Sequence, residues 1–204
     1  MNRLQIKGLS TRHIGPIDLD ITGGQCVILS GTSGSGKTML LRAIADLDLH
    51  EGEIYLDDLS CKAMAPTTWR QQVGLLVAES QWWENVVGDH FNGEPTKYLG
   101  ALGLDPEIMS WSIARLSSGE RQRLGLVRLL NNQPKVLLLD EPTANLDPEF
   151  TKNAEMLIKQ YQSETGAAII WVTHHHDQIE RIADRHFSMK DGQLKEVELK
   201  EVKQ

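Results

Sequence analysis

Runs of consecutive apolar residues alternate along this chain with stretches in which apolar residues recur every three or four positions. The runs have the length of strands and lie at residues 26–29, 73–77, 136–139 and 168–172. Continuous runs of this kind are typical of strands that are buried on both faces of a parallel sheet. Helical spacing follows or precedes them at residues 39–45, 119–130 and 148–161. The pattern therefore predicts an α/β fold.

Strict alternation of apolar and polar residues marks other parts of the chain. It appears at residues 4–6 and 17–21, which predicts two half-buried strands, and residues 53–56 form a further predicted strand. A last strand is predicted near residues 186–189, followed by a hairpin turn at Asp191-Gly192.

In two segments the apolar residues follow neither the spacing of a helix nor that of a strand. From residue 79 to residue 109, glycines and prolines break the chain into short pieces, which predicts a small inserted helical subdomain. Residues 195–204 mix lysine and glutamate, and we expect them to form a solvated tail.

Composition narrows the class of protein. A chain of 204 residues with 40% hydrophobic content can bury one sizeable core. A net charge of -7 and a pI near 5.5 argue against nucleic acid as a partner, because binding a phosphate backbone needs a surplus of lysine and arginine. No apolar run approaches the roughly 20 residues that span a bilayer. We therefore expect a cytoplasmic protein whose two cysteines are reduced.

The stretch after the first apolar run carries the clearest chemistry. It reads GTSGSGKT and matches the P-loop pattern GxxxxGK[ST] between a predicted strand and a predicted helix. Glycines let backbone N–H groups surround an anion, the lysine reaches the outer phosphates, and the final hydroxyl can bind Mg²⁺. The predicted phosphate-binding residues are Gly31, Thr32, Ser33, Gly34, Ser35, Gly36, Lys37 and Thr38.

Two adjacent carboxylates end the strand predicted at 136–139. Asp140 would hold Mg²⁺ through water and Glu141 could polarise an attacking water, although a strand end can also carry carboxylates only for solvation. The three consecutive histidines 174–176 do not suit a metal site, because adjacent residues do not face one ligand sphere.

Five motifs follow one another along the chain in the order typical of an ABC-type ATPase, and the chain resembles that family. They are GTSGSGKT, LSSGERQR, VLLLDEP, Asn145-Leu146-Asp147 and Thr173-His174. The resemblance covers nearly the whole chain and is strongest to ATP-binding subunits of bacterial transporters. The stretches around WRQQVGLL and LLLDEPTANLD resemble those of inner-membrane metal exporters. The resemblance implies a P-loop NTPase core sheet with flanking helices, an antiparallel β subdomain and an inserted helical subdomain. It divides a single domain, 1–204, into a core (1–77 and 131–204) and a helical subdomain (78–130).

The same resemblance implies residue roles. Lys37 and Thr38 hold phosphate and Mg²⁺, Glu141 is the catalytic base, and His174 contacts the γ-phosphate. In the family, ATP lies between two subunits. The stretch LSSGERQR is the signature motif, and it contacts the nucleotide bound to the partner through Ser117, Ser118, Gly119 and Glu120. These residues also suit a helix N-cap, and both roles are compatible.

Several positions depart from the family pattern. Before Ile17 there is no aromatic residue to stack on adenine, and Arg12 or His13 are the planar substitutes. Met39 replaces a hydroxyl residue and Ser118 a glycine.

Other positions leave alternatives open. The usual metal-sensing glutamine aligns with Ala78, and its neighbour Glu79 is a candidate Mg²⁺ ligand or a solvated loop residue. The pair Trp82-Trp83 suits either core packing or a docking surface for a membrane partner.

We therefore expect an ATP hydrolase that dimerises around two ATP molecules, uses Mg²⁺, and powers a separate membrane permease. Its partners would be a second copy or a homologous ATPase subunit and that permease, on the cytoplasmic face of the inner membrane. The alternative is a soluble ATPase of the same type that acts as a clamp or regulator without a permease.

Overall fold

The computed structural model describes residues 2–93 and 96–199, apart from the side chain of Thr96. Its strands are β1 (Asn2–Ser10), β2 (Ile17–Thr22), β3 (Cys26–Ser30), β4 (Glu51–Leu56), β5 (Leu59–Ser60), β6 (Val73–Leu76), β7 (Val136–Asp140), β8 (Ala168–Val172), β9 (Arg185–Lys190) and β10 (Gln193–Val197). Its α-helices are α1 (Lys37–Ile44), α2 (Pro66–Gln72), α3 (Thr96–Leu99), α4 (Ser118–Asn131), α5 (Pro148–Thr165) and α6 (His176–Ile182). Short 3₁₀ turns connect several of them.

Six strands form the central sheet, in the order β10-β9-β3-β8-β7-β6. All neighbours are parallel except the β9–β10 hairpin. Every residue of β7 and β8 is buried, because helices and the second sheet cover both faces. The predicted α/β fold and its continuous apolar strands are confirmed.

The second sheet is antiparallel, with the order β2-β1-β4-β5. Strand β2 alternates buried and exposed residues along its whole length, as the sequence pattern predicts. Its buried side chains share one core cluster with Val27, Leu138 and Ile170 of the central sheet. The opposite face of the central sheet packs against α4, α5 and the short helices between β6 and β7.

The first three residues of the predicted solvated tail form the end of strand β10, although Lys195 and Glu196 are exposed as predicted. Lys195, Glu196 and Val197 pair with β9, because the turn at Asp191-Gly192 reverses the chain with positive φ at both residues. Arg185 of β9 reinforces this pairing with an ion pair to Glu196 at 2.7 Å. Residues 200–204 lie outside the described residues.

Trp69 joins α2 to the end of α1. Its side chain is fully buried, and its indole N–H donates to the carbonyl of Ile44 at 2.9 Å. The last carbonyls of a helix have no partner within the helix, so this bond satisfies a group that burial would otherwise leave unpaired. Trp69 thus fixes the far end of the helix that follows the P-loop.

We predict that Trp69→Phe lowers the free energy of unfolding by about 1–3 kcal/mol, since it removes the donor and leaves a buried carbonyl unpaired. Urea denaturation measures the change. Trp83→Phe is the control, because Trp83 is 68% exposed and its substitution should change the free energy by less than about 0.5 kcal/mol. Equal effects of the two substitutions would contradict the role of the buried bond.

Candidate active site

The P-loop runs between β3 and α1. At two of its positions, neighbouring atoms come so close that only glycine fits. Gly31 and Gly36 have φ values of 141° and 109°, a region that disfavours other residues. A Cβ atom at Gly31 would clash with the carbonyl of Met189, and one at Gly36 would clash with the side chain of Ile14. The loop is therefore packed from beneath, while a Cβ at Gly34 would meet no atom within 4 Å.

Lys37 starts α1 and lies beneath the loop. Its ammonium donates to the carbonyls of Gly31 and Thr32, at 2.8 and 3.0 Å. Burial lowers the pKa of Lys37, and the nearby carboxylates Glu141 and Asp140 oppose that shift. The side chain is 7% exposed and makes no ion pair among the described residues. A cation placed in this way fits the negative charge of a phosphate.

Thr38 and Asp140 form the second part of the site. The Thr38 hydroxyl donates to Asp140 Oδ2 at 2.7 Å, which joins the first turn of α1 to the end of β7. Burial raises the pKa of Asp140, and the bond from Thr38 partly offsets this rise. A hydroxyl and a carboxylate are hard oxygen ligands of the kind that Mg²⁺ takes together with water and phosphate oxygens. The described residues contain no cluster of three or more His, Cys, Asp or Glu side chains suited to a metal. The candidate ligands at this point are Thr38 and Asp140.

Glu141 and His174 meet at the same edge of the sheet. The distance from His174 Nε2 to Glu141 Oε1 is 2.9 Å, and both side chains are about 40% exposed. They follow neighbouring parallel strands, in which Asp140 pairs with Val172. Glu141, His174 and the P-loop surround one cleft. Its lining residues are Ser33, Gly34, Gly36, Lys37, Thr38, Met39, Asp140, Glu141 and His174. In the run of three histidines at 174–176, His175 precedes α6 and His176 begins that helix.

The signature residues begin α4 and lie outside this cleft. Ser117 is the N-cap: its hydroxyl accepts the Glu120 N–H, and the Glu120 carboxylate accepts the Ser117 N–H at 2.8 Å. The Ser117 N–H and the Ser117 hydroxyl both donate to the Glu120 carboxylate, and these two bonds lower the pKa of Glu120. The predicted cap is confirmed, whereas the contact with the nucleotide of a partner stays a prediction.

The structure does not bring Glu79 beside Thr38 and Asp140. Glu79 is exposed and lines a second cleft, with Ala78, Ser118 and Asn145 among its neighbours. The proposed role of Glu79 as a Mg²⁺ ligand therefore has no support from this arrangement.

The two tryptophans have different environments. Trp82 packs against the core beneath α4, whereas Trp83 is exposed. Both rings contact His90 edge-on, with centroids 4.9 and 4.8 Å away, and the guanidinium of Arg128 lies over both. Core packing thus accounts for Trp82, and Trp83 is available to a partner.

Two buried glutamines lie behind the site, and neither is predicted as a site residue from the sequence. Gln122 of α4 donates to the carbonyl of Pro142 at 3.2 Å, and Gln178 of α6 donates to Thr143 Oγ1 at 3.2 Å. These pairs are 20 and 35 residues apart, so no local pattern could have shown them.

Comparison with known proteins gives the family. The family model described as "ABC transporter" matches residues 14–144, about two thirds of the chain. The chain belongs to the ABC transporter family. Its resemblance to this family and its identity as an ABC ATPase are thereby confirmed.

Individual relatives agree with this assignment. The ABC ATPase described here is 33% identical to Protein STAR1 of Oryza sativa over 96% of this chain, but it spans only 62% of that protein's length. It is 32% identical to the "Probable iron export ATP-binding protein FetA" of Escherichia coli over 80% of this chain and 78% of the relative. A dimeric structure of the ATP-binding cassette MJ0796 bound to ADP and phosphate superposes with a TM-score of 0.82 at 22% identity, covering 96% of this chain and 99% of that one, which shows a shared fold.

We predict that Asp140→Asn makes this ABC ATPase more stable at pH 7 in the absence of Mg²⁺ and nucleotide. In the folded state the pKa of Asp140 lies above its ordinary value of 3.8, so folding favours the protonated carboxyl group. Its contribution to stability is present below pH 3.8 and is lost as the pH rises through the raised pKa. Asparagine stays neutral and still accepts the Thr38 bond, so we expect a gain of about 0.5–2 kcal/mol at pH 7.

Urea denaturation at pH 7 and near pH 4 measures this gain, which should shrink at the lower pH. Asp58→Asn, at an exposed turn, is the matched control and should change the stability little at either pH. A variant less stable than the parent at pH 7 would show that the Asp140 charge stabilises the fold.

Proposed function

We propose that this chain binds and hydrolyses ATP, as a dimer that encloses two nucleotides, and powers a separate membrane permease. The observation that carries the proposal is the convergence of Lys37, the Thr38–Asp140 pair and the Glu141–His174 pair on one cleft. Each of these groups suits one requirement of phosphoryl transfer to water.

The roles follow from the position of each group. The N–H groups of the P-loop and the Lys37 ammonium bind the phosphates, and Thr38 and Asp140 would hold Mg²⁺. A bound Mg²⁺ ion would neutralise part of the charge on the phosphate oxygens. Glu141 accepts the proton of the attacking water, and His174, proposed to contact the γ-phosphate, also orients that carboxylate through their 2.9 Å contact.

The dimer is proposed because the cleft of one chain is incomplete. Charge on the transferred phosphoryl group needs donors on several sides, and the P-loop supplies only one side. The signature residues Ser117–Glu120 lie outside the cleft of their own chain but sit at the exposed N-terminus of α4, where N–H groups favour an anion. MJ0796, which shares this fold, is a dimer bound to ADP and phosphate in its solved structure.

A permease partner is proposed from the family and its relatives. No helix of the described residues is long and apolar enough to cross a membrane. Relatives named as export or import ATP-binding proteins support a membrane pathway in another protein, with this chain at the cytoplasmic face of the inner membrane. The helical subdomain proposed at 78–130 carries the exposed Trp83, which suits such a contact.

Recovery of a membrane protein with this chain from detergent-solubilised membranes would support the permease, and its absence would favour a soluble regulator.

We predict that Glu141→Gln lowers ATP turnover by roughly 10²–10⁴-fold and preserves ATP binding, because glutamine cannot accept the proton of the water. The variant should accumulate as an ATP-bound dimer in size-exclusion chromatography. Glu149→Gln, at an exposed carboxylate of α5, is the control and should retain the parental rate. Near-normal turnover of Glu141→Gln would remove Glu141 from this role.

We also predict that Ser117→Arg abolishes hydrolysis and leaves the affinity of the monomer for ATP nearly unchanged, because the contact is made across the dimer. Calorimetry measures binding, and phosphate release measures hydrolysis. Mixing this variant with Lys37→Ala should restore activity, since one of the two sites in each mixed dimer is then intact. Equal loss of binding and hydrolysis would mean that the site closes within one chain.

A further inference from the structure

Glu141 has a backbone conformation that needs external support. Its φ angle is +49°, in the left-handed region that residues other than glycine rarely adopt. Such a conformation costs on the order of 1–3 kcal/mol and persists only where surrounding contacts hold it. The next two residues, Pro142 and Thr143, are buried and receive those contacts.

One contact to this segment comes from α6, the helix that follows His174. Gln178 is 1% exposed, and its amide donates both to Thr143 Oγ1 at 3.2 Å and to Glu155 Oε1 at 2.8 Å. Thr143 lies two residues after Glu141, and Gln178 lies four residues after His174. The amide of Gln178 therefore joins the segments that carry the two interacting side chains of the active site.

Glu155 fixes which way this amide points. It is buried in α5, and both of its oxygens accept bonds from Arg181 of α6, at distances from 2.8 to 3.0 Å. Because a carboxylate repels the amide oxygen, the amide nitrogen of Gln178 must face Glu155 and therefore also Thr143. Gln178 Oε1 has no partner among the described residues, so the two donated bonds alone determine the orientation.

We propose that Gln178, held by Glu155, is a positioning residue for ATP hydrolysis: it sets the Glu141–Thr143 segment against the His174 loop. The inference rests on the proposed function and adds a residue that does not touch the nucleotide. Loss of the amide would free Thr143, relax the backbone of Glu141 and lengthen its contact with His174. A misplacement of about 1 Å in such a site can cost on the order of 10²-fold in rate.

The first test is Gln178→Ala in the full chain. We expect kcat to fall by about 10–100-fold, while the KM for ATP changes by less than about twofold, since the P-loop is untouched. Glu180→Ala, at an exposed position of the same helix, is the matched control and should retain the parental kcat. A folded Gln178→Ala variant with a kcat within twofold of the parent would overturn the proposal.

A second test restores the missing donor by protonation. Gln178→Glu places two carboxyl groups beside each other, and in such a pair one pKa is strongly raised. At high pH the two carboxylates repel each other. At lower pH the single O–H bonds the new side chain to Glu155, and the Thr143 hydroxyl can donate to the other oxygen of the new side chain, which restores the link to the Glu141–Thr143 segment. We expect the rate of this variant relative to the parent to rise as the pH falls from about 8 to about 6. A ratio that is independent of pH would contradict a positioning bond.

A third measurement does not depend on turnover. Hydrogen exchange in Gln178→Ala should become faster at Ala144 and Leu146, whose N–H groups bond to the carbonyls of Glu141 and Thr143, and remain unchanged at residues 31–38. Unchanged exchange at Ala144 and Leu146 would overturn the proposal even if the rate fell. A parent chain that does not hydrolyse ATP would instead refute the proposed function, and the exchange data would still decide the role of Gln178.

Discussion

The structure depends on the parallel alignment of β3, β7 and β8. Parallel neighbours end at the same edge of a sheet, so the segments that follow these strands must meet there. That edge brings together the P-loop, the pair Asp140-Glu141, and His174. The bond from Thr38 to Asp140 joins two residues 102 positions apart and is a direct consequence of this alignment.

The charges at this edge are arranged for a ligand. Burial disfavours the charged form of both Lys37 and Asp140, as their opposite pKa shifts show. A phosphate group beside Lys37 and a divalent cation beside Asp140 would each supply the opposite charge that burial makes favourable. Burial of Asp140 without a cation therefore opposes folding, and the same burial favours the binding of a cation there.

Polar contacts behind the cleft have a different purpose. Gln122 reaches the Glu141–Thr143 segment from α4, and Gln178 reaches it from α6. Both amides are nearly inaccessible to solvent, where an unpaired donor is costly. They connect the Glu141–Thr143 segment to α4 on one side and to α6, which follows His174, on the other. A shift of either helix would therefore change the position of Glu141.

The sequence by itself determined the class of fold, the P-loop, the two carboxylates and the cap at Ser117, because each depends on neighbours within a few positions. Apolar runs reveal buried strands, and the glycines at 31, 34 and 36 reveal a loop with positive φ. Only the tertiary structure decided which groups touch: the Glu141–His174 contact, the position of Glu79 in another cleft, and the pairing of Lys195–Val197, the end of β10, with β9. Those outcomes depend on strand order and on contacts between residues far apart in the chain, for which local spacing holds no signal.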